Sequence, residues 1–200
     1  MKHIVFDLGN VLIRWDAPRA FREHFDDPAA ARDWMAQIGF DDWNRLQDGG
    51  RSMADGIAAA TERHGDLATP LTSYLAGFPA TIAEPVPGAW AIAEGLAARG
   101  HDLYAITNWG RQTWPAALAA YPRLGTLFRD IVVSGIEGML KPEPAIYRLL
   151  LDRNGLMAGD CVFIDDSAAN VAGAQAIGMD AIRFTDADSL AGALAQRGLA

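Results

Sequence analysis

Asp7 stands at the end of a short apolar run, Ile4-Val5-Phe6, and is followed by Leu8-Gly9-Asn10. A carboxylate released at such a point can be a turn residue, a metal ligand or a nucleophile. The same arrangement recurs along the chain. Thr107 and Asn108 follow Leu103–Ile106, Ser134 follows Ile131–Val133 with Lys141 a short loop later, and Asp165 and Asp166 follow Val162–Ile164. Each of these alone is most simply a turn, a cap or a solvated loop. Together they supply what phosphoryl transfer needs. Three carboxylates at one edge repel one another unless a cation joins them, and Mg²⁺ favours a few carboxylates, water and a phosphate oxygen. Lys141 brings a second positive charge, and Thr107 can donate to phosphate oxygens. Asp7 can then attack phosphorus, and water can hydrolyse the aspartyl-phosphate.

Positioning such groups requires a sheet whose strands all end on one side. The apolar runs at 2–6, 103–106, 131–133, 162–164 and 181–184 are short enough to be buried strands. Helical patterns lie between the later ones, at 89–99, 115–120, 144–154 and 168–177. Gly100 and Gly155 stop two of these helices, and Ser189 is the expected cap of the last. Alternating strands and helices predict an α/β fold, a Rossmann-like parallel sheet flanked by helices, with its site at the carboxyl ends of the strands. Residues 16–84 break the alternation. Segments 20–25, 29–38 and 53–64 read as helices, and Glu84-Pro85-Val86-Pro87-Gly88 closes the block. The predicted organisation is a core of residues 1–15 and 85–200 with an inserted helical cap, 16–84.

A net charge of −8 and a pI near 4.9 argue against nucleic acid or an anionic membrane as a partner. The longest uncharged stretch, Leu67 to Ala83, carries Pro70 and Pro79 and is a poor membrane span. The single cysteine, Cys161, lies in an apolar run and points to a reducing, cytoplasmic setting. Among 17 basic residues only Lys2 and Lys141 are lysines, so an internal lysine stands out. The four histidines lack metal-ligand spacing and receive no role.

These motifs resemble those of the haloacid dehalogenase (HAD) superfamily. Its four motifs have counterparts in order: Ile4-Val5-Phe6-Asp7-Leu8-Gly9-Asn10-Val11, then Ala105-Ile106-Thr107-Asn108, then Lys141-Pro142-Glu143-Pro144, then Val162-Phe163-Ile164-Asp165-Asp166-Ser167-Ala168-Ala169-Asn170. The first and last look like a bacterial subgroup that includes an α-glucose-1-phosphate phosphatase and is similar to the phosphatase domain of epoxide hydrolases. The resemblance implies a Mg²⁺-dependent phosphatase acting on a small phosphorylated metabolite, with Asp7 as nucleophile. It implies metal ligation by Asp7, the Gly9 carbonyl and Asp166, with Asp165 close behind. It also implies phosphate binding by Thr107, Asn108 and Lys141.

One departure bears on mechanism. Most phosphatases of that superfamily place an acid–base Asp two residues after the nucleophile, and here that residue is Gly9. Esters with poor leaving groups should then react slowly, which favours anomeric sugar phosphates and aryl phosphates. Trp15, Trp43 and Trp109 are candidates to flank a sugar, and Arg45 or Arg111 to bind an anionic group. Three rivals share the fold. A 2-haloacid dehalogenase typically lacks the acidic pair, so Asp165 and Asp166 oppose it. A phosphosugar mutase needs the acid–base Asp, and its best-known member uses a cap lysine, whereas residues 16–84 contain none. A catalytically weak phosphate-binding regulatory module has only Gly9 in its favour.

Overall fold

The computed structural model describes residues 2–199. Five strands, β1 (His3–Phe6), β2 (Leu103–Thr107), β3 (Asp130–Val133), β4 (Cys161–Asp165) and β5 (Asp180–Arg183), form one sheet in the order β3-β2-β1-β4-β5. All four pairings are parallel. Eleven α-helices are present among the described residues. In the block between β1 and β2 they are α1 (Pro28–Ile38), α2 (Phe40–Asp48), α3 (Met53–His64) and α4 (Tyr74–Thr81), with 3₁₀ turns at Ala17–Phe21 and Gly65–Ser73. Then come α5 (Ala89–Ala98), α6 (Trp114–Ala120), α7 (Leu124–Leu127), α8 (Ser134–Glu137), α9 (Pro144–Asn154), α10 (Ala168–Ala176) and α11 (Ala187–Ala195).

Strand alternation divides the core. Ile4 and Phe6 pack on one face of the sheet with Ala105, Ile164 and Leu194. Val5 packs on the other with Ile106, Phe163, Ile146 and Ala174. Both faces are therefore covered, which is why the strands read as continuous apolar runs. Asp7 N donates to the Ile164 carbonyl at 2.8 Å, and Phe6 pairs with both Ala105 and Ile164. That register brings Asp7 level with Asp165 and one step below Thr107.

Every regular element between residues 16 and 84 is helical. The chain leaves and returns along paired segments: Arg14 N donates to the Glu84 carbonyl and Asp16 N to the Thr81 carbonyl. Arg19 ties the two together through Asp16 and Glu84, each at 2.7 Å. Local sequence sets the helix ends. Asp27 accepts from Ala29 N, Pro28 opens α1, and Gly39 closes it at φ 63°. The Ser52 hydroxyl accepts from Asp55 N at the start of α3.

Three local expectations change. Segment 20–25 is not an α-helix but the tail of a 3₁₀ helix followed by a turn, because Pro18 starts a tight turn and α4 packs directly against it. The cap of α11 is Asp186 and not the expected Ser189: Asp186 accepts from Ser189 N at 2.8 Å. Helix α2 was not anticipated, since it is short and mostly polar, with only Phe40, Trp43 and Gln47 on its buried face.

Candidate active site

The strand ends meet beneath the helical block. Lys141 is 1% exposed. Its Nζ lies 2.8 Å from Asp7 Oδ1 and 2.7 Å from Asp165 Oδ2. Burial, the largest influence, disfavours its ammonium, but the combined pull of Asp7 and Asp165 leaves its pKa raised, so the cation persists. Its backbone is held as well. Asn108 Oδ1 accepts from Lys141 N at 2.9 Å and Asn108 Nδ2 donates to the Lys141 carbonyl at 3.1 Å.

Three carboxylates face this one ammonium. Burial raises Asp7 to about 7; Lys141 opposes the shift, while Asp165 and Asp166 add to it. Asp166 is also raised, by burial first and by Asp165 second. Ligand oxygens of Asp7, Asp165 and Asp166 lie within 4.8 Å of one another. Crowded, partly desolvated carboxylates with one cation among them suit a further hard cation such as Mg²⁺. The members differ, however. Asp165 is fully buried, and its oxygens already accept from Lys141, from Ser167 N at 2.8 Å and from Asn170 Nδ2 at 3.0 and 3.1 Å. Asp7 and Asp166 instead line a cavity of about 150 Å³ together with Gly9.

Thr107 is 1% exposed, and its hydroxyl has no hydrogen-bond partner. A buried hydroxyl without a partner costs about 1–3 kcal/mol, which an acceptor group of a ligand would recover. Trp109 lines the cavity, its ring edge-on to Phe78 and its backbone N–H donating to Ser134 Oγ at 2.9 Å. Trp15 lines it too. Trp43 does not. Its indole N–H donates to the Gly56 carbonyl at 2.8 Å and its ring packs on Phe40 and Tyr74, inside the helical block. Arg111 binds the Gly135 and Ile136 carbonyls, and Arg45 is exposed, so neither reaches the cavity.

Asn10, Asn108 and Thr113 line the cavity as well. The facing wall comes from the helical block: Asn44, Asp48, Tyr74 and Phe78. None was singled out from sequence. Asp48 is held closely. Asn44 Nδ2 donates to its Oδ2 at 3.0 Å, and Ser134 Oγ donates to its carbonyl at 2.6 Å. Burial raises its pKa to about 7; the Gly110 N–H and Arg45 oppose this, and Asp7 adds to it. The only sequence signal for Asp48 was its place before the Gly49-Gly50 break.

The fold and this acidic strand-end centre define a Rossmann-like α/β hydrolase. The chain belongs to the haloacid dehalogenase-like hydrolases, whose family model matches residues 1–178. Sesquiterpene phosphatase AstK of Aspergillus oryzae is 26% identical over 187 residues, 92% of this chain and 90% of that one. Flavin mononucleotide hydrolase 1 of Arabidopsis thaliana is 35% identical over 104 residues, 52% of this chain and only 42% of that one. A HAD family enzyme of Bacteroides thetaiotaomicron, solved with magnesium and inorganic phosphate, superposes with a TM-score of 0.69 at 21% identity, covering 93% of this chain and 95% of that one. That likeness is one of fold. Among the described residues no helix is long and apolar enough to cross a membrane.

Proposed function

We propose that this hydrolase is a Mg²⁺-dependent phosphatase of small phosphate monoesters, sugar 1-phosphates among them, acting through an aspartyl-phosphate on Asp7. The observation that carries this reading is the buried Lys141 ammonium, 2.8 Å from Asp7 Oδ1 at the edge of the cavity. A lysine so placed orients the nucleophile and meets the charge of a phosphate beside it. Relatives named as phosphatases support the same chemistry.

Asp7 attacks phosphorus while the Thr107 hydroxyl and Lys141 donate to phosphate oxygens. Asn108 holds the Lys141 backbone in place and so acts on phosphate through it. Asp7, the Gly9 carbonyl and Asp166 would hold Mg²⁺, which supplies charge neutralisation at the phosphate. Asp165, its oxygens already engaged, positions Lys141 and would add its charge behind the cation. Trp15 and Trp109, which line the cavity, are the apolar surface for a sugar or aryl group. In this reading residues 1–15 and 85–200 are the catalytic core, 16–84 is a cap that closes over the substrate, and the enzyme works in the cytoplasm on a phosphorylated metabolite. The acidic Asp166 beside the nucleophile favours phosphatase over dehalogenase chemistry.

The test is a screen of sugar phosphates, nucleotides and aryl phosphates with Mg²⁺, beside Asp7→Asn and an EDTA control. Phosphate release is expected from the wild type with Mg²⁺ alone. Retained activity in Asp7→Asn, or halide release that survives EDTA, refutes the proposal.

A further inference from the structure

Gly9 leaves the departing oxygen of an ester without a proton donor among the strand-end residues. A side chain at position 9 would have met open space, since a Cβ built there finds no atom within 4 Å. The cavity at that point is walled by the helical block instead. Asp48, the last residue of α2, lines the same cavity as Asp7 and Gly9. It is the one carboxyl that the helical block contributes to that wall.

We propose that Asp48 is the general acid and base of this site, taking from the cap side the role that Gly9 cannot fill. The inference rests on the phosphatase reading of Asp7. In the first step an Asp7 oxygen forms a bond to phosphorus and the phosphorus–ester oxygen bond breaks. The electron pair goes to the departing oxygen, which takes the proton from Asp48. In the second step the Asp48 carboxylate takes a proton from water as the water oxygen bonds to phosphorus. The phosphorus–Asp7 bond breaks, Asp7 regains its carboxylate, and Asp48 is again protonated.

The surroundings fit that cycle. A group that donates and then accepts works best with both forms populated near the working pH. Asp48, raised to about 7 chiefly by burial, meets that condition. The charged or titratable groups around it are Tyr74 on α4, Asp7 and Asp166 across the cavity, and Arg45, Arg51 and Arg111 on its other flank. Its carboxyl is oriented by Asn44, whose Oδ1 accepts from the Tyr74 hydroxyl at 3.0 Å, so the acid sits in a fixed network. The limitation to good leaving groups suggested by Gly9 is thereby lifted.

The experiment compares Asp48→Asn with wild type on benzyl phosphate and p-nitrophenyl phosphate, which share a ring but differ in their need for protonation on departure. General acid catalysis contributes about 10²–10⁴-fold. In Asp48→Asn, kcat/KM for benzyl phosphate should fall by about 10² or more, while that for p-nitrophenyl phosphate changes far less. Equal losses for the two esters, or no loss, overturn the inference and leave the phosphatase reading intact. A wild type that hydrolyses neither ester with Mg²⁺ overturns both. Wild type alone gives a second readout, independent of how the variant folds. The benzyl to p-nitrophenyl ratio of kcat/KM should decline as pH rises through about 7, where Asp48 loses its proton. A flat ratio overturns the inference.

Discussion

Replacing Lys141 with Met tests the centre of the site through stability as well as rate. Met keeps most of the apolar stem, so the cavity left behind is small and the loss is mainly that of the ammonium. Two buried carboxylates lose their partner, one from 2.8 Å and one from 2.7 Å. Removing one member of a buried ion pair costs about 3–5 kcal/mol. Asp165 keeps its bonds from Ser167 and Asn170, and Asp7 keeps the one from Leu8 N, which places the cost at the lower end, about 3 kcal/mol. That is roughly a hundredfold in the folding equilibrium, tolerable for a domain stable by about 5–15 kcal/mol. The pH dependence has a definite sign. Asp7 already titrates near 7 in the folded protein against 3.8 ordinarily, and without Lys141 its pKa rises further. A carboxyl raised on folding binds its proton more tightly in the native state, so stability falls as pH rises from about 4 through the folded pKa. Lys141, itself raised, contributes stability throughout that window, because it is lost only as pH passes its folded pKa above 10.5. The deficit of the variant is therefore largest near pH 8 and smaller near pH 5. Urea unfolding in EDTA, followed by tryptophan fluorescence at both pH values, measures it, and kcat/KM should fall by about 10²–10³. Equal stability of variant and wild type at pH 8 would falsify the buried ion-pair geometry.

Two further substitutions probe the helical block. Trp43→Phe removes the hydrogen bond to the Gly56 carbonyl and should lower stability by about 1–2 kcal/mol without changing KM; a raised KM would show that Trp43 touches substrate after all. Gly77→Ala places a Cβ 2.1 Å from the Ala20 carbonyl oxygen. The backbone must yield, at a cost of about 3 kcal/mol, and an unchanged melting temperature would mean that α4 does not seat on the 17–21 turn as described.

The strand-end residues were legible because parallel sheets encode them locally. Phe6-Asp7, Ile106-Thr107 and Ile164-Asp165 each place a polar residue directly after a buried run, and register does the rest. Lys141 was legible through its rarity in an arginine-rich chain. The division of labour between Asp165 and Asp166 came only from the family resemblance and not from the residues themselves, because it depends on which oxygens Ser167, Asn170 and Lys141 occupy. The cavity wall of α2 was hidden for a related reason. On a helix at about 100° per residue, positions 44 and 48 share one face while 43 and 47 share the next. Sequence shows both faces equally well. Tertiary packing decides between them: Trp43 turns to Gly56 and Gln47 to the Trp43 carbonyl, which leaves Asn44 and Asp48 facing the sheet. A tryptophan attracts notice as a sugar-binding surface and an aspartate before two glycines does not, yet here the tryptophan is packing and the aspartate lines the site. The acid absent from position 9 is thus to be sought on the inserted block, where no reading confined to the strand ends would place it.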